Sequence, residues 1–208
     1  MSDPVVWLYA VENLPGISTD QKIRSILRTH LPADCVANQD ALLISRTSRG
    51  KPTLPGLPQW HISVTHSEKW FICAVSPLQV GIDLQVHSLL HGETGQQAAA
   101  RYCKIARRFF HPAEADYVAL APQDHFFSVW TAKESFVKYT GKGVDSHFDA
   151  FCVLPPSPAS CKLPIDTPWQ AAQATFRQTP FDENYTFCMC TPSPCQWCWV
   201  FPNADEIR

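Results

Sequence analysis

Charge is scarce in this 208-residue chain. Its 17 lysines and arginines face 19 aspartates and glutamates, for a net charge of −2, and charged residues make up only 17%. Such a chain carries no global basic field, which excludes steering to nucleic acid or to an anionic membrane. Any phosphate site has to be local. Long apolar runs are also missing: none approaches the ~20 residues that cross a bilayer. The start, MSDPVVWLYAVENLPG, lacks the basic segment and apolar core of an export signal. A soluble, cytoplasmic protein is expected. The cysteines number nine, and an odd count without an export signal argues against a disulfide framework.

What is present is a globular composition, 45% apolar, enough for one large domain or two small ones. Helical spacing of Ile23, Ile26 and Leu27 predicts a helix over about 19–30, with Thr19 as its cap. ALLIS (41–45) reads as a short strand and RGKPTLPGLPQW (49–60) as loop. HISVT and WFICAVS flank HSEK, which predicts a hairpin with His66 at its tip. VGIDLQ (80–85) reads as a strand with Val80, Ile82 and Leu84 on one face and Gly81, Asp83 and Gln85 on the other. SLLHGETGQQ reads as loop, and RYCKIARRFF and HPAEADYVAL as two helices. A longer helix is expected over about 125–140, with Val129, Ala132, Phe136 and Tyr139 as its apolar stripe and Gly141 as its end. A proline-rich connection (152–168) and two strands, AQATF and NYTFCMC, follow. Strands and helices mix without regular βαβ alternation, so the fold class expected is α+β or an irregular α/β.

Three groups are candidates for chemistry, and each also has an ordinary reading. Asp83 on a strand is either on a wet second face or a ligand for a hard cation such as Mg²⁺. Glu134 and Lys138 are four apart, a spacing that forms weak helix-surface pairs. Such a pair leaves Lys133 and the following GKG unexplained, whereas lysines, a carboxylate and a glycine turn suit a metal-held polyphosphate. His66 is either simply exposed or a loop-borne functional group. Cys188, Cys190, Cys195 and Cys198 have a spacing that zinc accepts, but their apolar and aromatic surroundings disfavour it. Arg101, Lys104 and Arg108 fall on one helical face, either as a solvated face or as a dock for an acidic partner.

The ordered series GKP, ISVTHS, VGIDLQ, WTAKESFVK resembles the 4′-phosphopantetheinyl transferases of the larger, surfactin-synthetase type, with a flavour close to the bacterial holo-acyl-carrier-protein synthases. RRFFHPAEADYV is similar to that family's F-F-x-x-x-E segment, and Asp83 and Glu134 are 51 positions apart. The match covers about residues 20–145. The resemblance implies a pseudo-dimer of two similar α/β halves, here 1–79 and 80–208, with the active site between them. It implies transfer of the 4′-phosphopantetheine group from coenzyme A to a serine of an apo acyl or peptidyl carrier protein, by a monomer. It implies Mg²⁺ (or Mn²⁺) held by Asp83 and Glu134, with Glu134 or a water beside it as base and Lys138 at the leaving phosphate. Lys51, Thr65 and His66 would hold coenzyme A, with Lys133 and Arg24 as further phosphate candidates. One departure stands out. The family usually reads D-x-E where this chain has Asp83-x-Gln85, which implies weaker metal binding and makes a non-catalytic relative that binds coenzyme A or a carrier protein the alternative.

Overall fold

The computed structural model describes residues 3–13, 15–33, 42–143, 148–155 and 163–207. Two four-stranded sheets dominate. The first has the order β10-β1-β5-β4, built from β1 (Val5–Glu12), β4 (His61–Ser67), β5 (Trp70–Ser76) and β10 (Gln196–Val200). β1 runs parallel to β10 and antiparallel to β5. The second has the order β6-β9-β8-β7 and is antiparallel. Its strands are β6 (Gly81–Val86), β7 (Trp169–Ala171), β8 (Ala174–Phe181) and β9 (Tyr185–Thr191). Two short strands, β2 (Ser45–Arg46) and β3 (Pro52–Thr53), pair beside them.

Period-two patterning explains the layering. In β1, Val6, Leu8 and Ala10 face one way and Tyr9 and Val11 the other, and all five are buried. A strand apolar on both faces must be covered on both. One cover is α1 (Thr19–His30), whose Ile23, Ile26 and Leu27 pack with Tyr9, Val11 and Phe71. The other is the second sheet, whose Ile82, Leu84, Phe187 and Met189, with Val80 just before β6, meet Val6, Leu8 and Ile72. The far side of the second sheet carries α2 (Gly95–Phe109), α3 (Pro112–Leu120) and α4 (Pro122–Thr140) over Phe176, Cys188 and Cys190. The result is four layers of α+β architecture. A last short helix, α5 (Ala204–Ile207), sends Ile207 into the first core.

Several expectations need correction. Ser18, not Thr19, caps α1, forming a capping box with Gln21. The β4–β5 turn is at Glu68 and Lys69, with Glu68 at φ 46, so His66 belongs to β4 rather than to the tip. α2 starts at Gly95 because Thr94 and Gln97 form a second capping box inside what reads as loop. Of the strand expected at 41–45, Ala41 lies outside the described residues and only Ser45 pairs. Part of the proline-rich connection, 156–162, also lies outside them. VVWLYAVE and QWCWV, given no strand from sequence, form β1 and β10. Cys188 and Cys190 pack against the helices, whereas Cys198 lies exposed on β10.

Candidate active site

The site is built where β6 passes under α4. Gly81 makes that approach possible. A Cβ there would sit 2.1 Å from the Ser135 carbonyl oxygen and 2.2 Å from the Tyr139 amide nitrogen. The helix therefore lies almost on the strand, and Glu134 and Lys138 come down beside Asp83. At its far end Gly141 closes α4 at φ 70, a left-handed cap that glycine adopts without strain.

Asp83 is 2% exposed, so its face of the strand is not wet. Burying a carboxylate requires partners, and it has three. Its Oδ1 accepts from Thr65 Oγ1 at 3.1 Å and from Lys138 Nζ at 2.8 Å, and its Oδ2 accepts from Gln85 Nε2 at 3.0 Å. Thr65 belongs to a ladder that joins the edges of the two sheets. The hydroxyls of Ser63, Thr65 and Ser67 on β4 accept from the amides of Ile82, Leu84 and Val86 on β6 at 3.1, 3.2 and 3.1 Å. The alternation in HISVTHS supplies these hydroxyls at every second residue, in step with the amides of VGIDLQV that face them.

Glu134 is half-buried next to this cluster. Its carboxyl is pushed up to about 7, first by burial and then by the negative charge of Asp83, against a smaller opposing pull from Lys138. A carboxyl that ionises near neutrality is suited to general-base work.

A cavity of about 640 Å³ opens over these groups. Asp83, Gln85, Glu134, Lys138, His66 and Arg46 form its polar side, and Ile105, Phe126, Phe127 and Trp130 its apolar wall. A smaller recess of about 260 Å³ continues from it, sharing Arg46, Glu134 and Lys138 and adding Lys51 and Arg49. Arg46, Arg49, Lys51 and Lys138 make the recess rich in cations beside the two carboxylates, and the cavity has an apolar wall, which fits a ligand with anionic and apolar parts.

The structure separates the residues singled out from sequence. Asp83, Glu134, Lys138, Thr65 and His66 all line the main cavity, and His66 is exposed within it. Lys51 lines the recess, but its ammonium donates to the carbonyls of Tyr139 (3.0 Å) and Val80 (3.3 Å), and burial holds its pKa down to about 8. It binds the end of α4 to the start of β6. Lys133 is fully buried on another side of α4, where its Nζ meets Glu114 Oε2 at 2.6 Å and the Phe151 carbonyl at 2.8 Å. Glu114 Oε1 accepts from the Val153 amide. Lys133 is thus an internal counter-ion that fixes α3 to α4, not a phosphate ligand. Among the described residues Arg24 lines neither the cavity nor the recess. Arg46, which the sequence did not single out, lines both and is held by Asp20 in the first turn of α1. Only its place in the fold marks it.

Among the described residues no group of three or more His, Cys, Asp or Glu converges as a metal centre. Two hard carboxylates do meet, Asp83 and Glu134, and the upward displacement of Glu134 reflects in part their mutual repulsion. A divalent cation that keeps water and phosphate oxygens as its other ligands fits that pair.

Residues 79–190 match the 4′-phosphopantetheinyl transferase superfamily. A 4′-phosphopantetheinyl transferase of Bacillus subtilis is 32% identical over 149 residues, 70% of this chain and 61% of that protein. The 4′-phosphopantetheinyl transferase Sfp of Bacillus subtilis (strain 168) is 28% identical over 179 residues, 84% of this chain and 72% of that protein. The L-aminoadipate-semialdehyde dehydrogenase-phosphopantetheinyl transferase of Rattus norvegicus is 30% identical over 116 residues, half of this chain and 36% of that protein. The matched segment contains β6, α4 and the carboxylates between them, and the chain belongs to the 4′-phosphopantetheinyl transferase superfamily.

Proposed function

We propose that this protein transfers the 4′-phosphopantetheine arm of coenzyme A to a serine of an apo acyl or peptidyl carrier protein. The observation that carries this is the grouping of Asp83, Glu134 and Lys138 in one cavity that has an apolar wall and opens to a recess rich in cations. The serine hydroxyl gives its proton to Glu134 while its oxygen bonds to the phosphorus that bears pantetheine. The bond from that phosphorus to the bridging oxygen of the pyrophosphate breaks, and 3′,5′-ADP leaves. Lys138, 29% exposed at the edge of the cavity, turns from Asp83 to the departing phosphate and offsets its growing charge. Arg46 and His66 hold the nucleotide end. Asp83 and Glu134 would hold Mg²⁺ or Mn²⁺, which supplies charge neutralisation at the pyrophosphate. The two four-stranded sheets support a reading as two α/β halves, 1–79 and 80–208, with β10 returned to the first. We place the protein in the cytoplasm as a monomer; among the described residues no helix is long and apolar enough to cross a membrane.

The test is the intact mass of a purified apo acyl carrier protein after incubation with the protein, coenzyme A and Mg²⁺. The carrier should gain a phosphopantetheine with the wild type and none with Glu134→Ala. Coenzyme A binding without any gain on acyl or peptidyl carriers would overturn the reading.

The docking face follows from α2. Arg101 is committed to a bidentate pair with Glu93, both contacts at 2.8 Å, whereas Lys104, Arg107 and Arg108 are exposed and Ile105 between them lines the cavity. The double change Lys104→Glu/Arg108→Glu should raise KM for an acidic carrier about tenfold, with kcat unchanged and the effect shrinking in high salt. An unaltered KM at low salt would remove this face from the interface.

A further inference from the structure

We infer that Thr65 and Gln85 are positioning residues for Asp83, gripping one carboxylate oxygen each, so that Lys138 is the one exchangeable partner. This rests on the reading that Asp83 and Glu134 hold the divalent cation.

The hydrogens decide the roles. The Leu84 amide donates to Thr65 Oγ1, which occupies a lone pair and leaves the hydroxyl proton free for Asp83 Oδ1. Thr65 is 4% exposed, so its hydroxyl is spent inside the protein rather than offered to coenzyme A. Gln85 lies two residues along β6 from Asp83, on the same face. A carboxylate only accepts, so the amide must present its NH₂ to Oδ2. A glutamate there would place a third negative charge beside Asp83 and Glu134 and could not donate. Gln85 therefore replaces a charge by a hydrogen bond, fixing the carboxylate where a glutamate would repel it. Lys138 differs from both. It approaches on a flexible stem from the cavity edge, and leaving Asp83 exchanges one ionic partner for another. The clamp keeps Asp83 aimed while Lys138 moves.

The experiment is Mn²⁺ binding, read from the spin-resonance signal of free Mn²⁺ without coenzyme A, in Thr65→Val, Thr65→Ser, Gln85→Met and the double variant Thr65→Val/Gln85→Met. Outer partners of a metal ligand are worth tenfold or more in affinity. Thr65→Val and Gln85→Met should each bind about tenfold more weakly, and Thr65→Ser should bind as the wild type does. The double variant should be little worse than the poorer single one, because one freed oxygen already lets the carboxylate turn. Cation-free binding of coenzyme A should not change in any of them. Wild-type Mn²⁺ affinity in both single variants overturns the clamp while leaving the metal reading intact. So does a double loss that multiplies the single ones, or a fall in cation-free coenzyme A binding, since either would mean direct and separate contacts. A wild type that binds no Mn²⁺ overturns the clamp together with the metal reading.

Discussion

Gly81→Ala should unseat α4 and remove transfer activity together. The added carbon would meet only backbone: the Ser135 carbonyl oxygen at 2.1 Å, the Tyr139 amide at 2.2 Å and the Tyr139 Cα at 2.7 Å. No side chain can swing aside, so the helix itself has to lift. Ordinary overpacking costs about 1–3 kcal/mol, and a clash with a helix backbone at this distance belongs at or above the top of that range. For a chain of this size that corresponds to a fall in Tm of roughly 10 °C. The catalytic loss should exceed the stability loss. Glu134 flanks one clashing residue and Lys138 the other, and a displacement of about 1 Å in a positioned group can cost a hundredfold in rate. Circular dichroism melting beside the carrier-mass assay, run below the variant's melting point, checks both. A folded variant with a wild-type Tm and rate would show that β6 and α4 are not in the contact described.

Glu134→Gln should reduce kcat by about two to four orders of magnitude, the worth of a positioned base, yet make the resting protein more stable in alkaline buffer. Unfolded, the carboxyl ionises near 4.5; folded, it is pushed up to about 7 by burial and by Asp83. Between those values the folded state keeps a proton that the unfolded state has lost. Stability therefore falls as pH rises through that window and stays lower above it. The displacement is worth roughly 3 kcal/mol. Glutamine resembles the protonated form at every pH. Without divalent cations, the variant should melt several degrees above the wild type at pH 8 and level with it at pH 5. Mg²⁺ should narrow the gap at pH 8 by stabilising the wild type alone. Parallel melting curves from pH 5 to 8 would mean that Glu134 is not in the environment described.

Local signals carried much of this site into view, and their limits are specific. Alternation in VGIDLQ separates Ile82 from Asp83 correctly because a strand has period two. The stripe Val129, Ala132, Phe136, Tyr139 does pack into the helix-side core, the first two wholly enclosed and the last two partly, but Thr131, Lys133, Ser135 and Val137 are buried as well, so α4 is enclosed well beyond the stripe. Lys133 misleads because adjacency in sequence is not adjacency on a helix: it lies about 100° around the axis from Glu134 and finds Glu114 instead. Only the pairing of α3 with α4 shows that. Arg46 reaches the cavity from β2, held by an ion pair with Asp20 of α1, which leaves no local pattern. The turn at Glu68 is hidden because a non-glycine residue takes positive φ there. The helix start at Gly95 is written locally, in the Thr94–Gln97 capping box, but glycines on both sides of Thr94 mask it.

The parallel pairing of β1 with β10 joins Val5 to Gln196 and Tyr9 to Val200, and this has a meaning in time. During synthesis β1 waits beside β5 with one edge open until residues 196–200 have left the ribosome. A pairing so far apart along the chain is slow to form because the loop it closes is long. Until then the exposed backbone of β1 invites a foreign strand. β10 therefore covers the open edge of β1 late, and completion of the first sheet depends on a strand that contributes no residue to the candidate cavity.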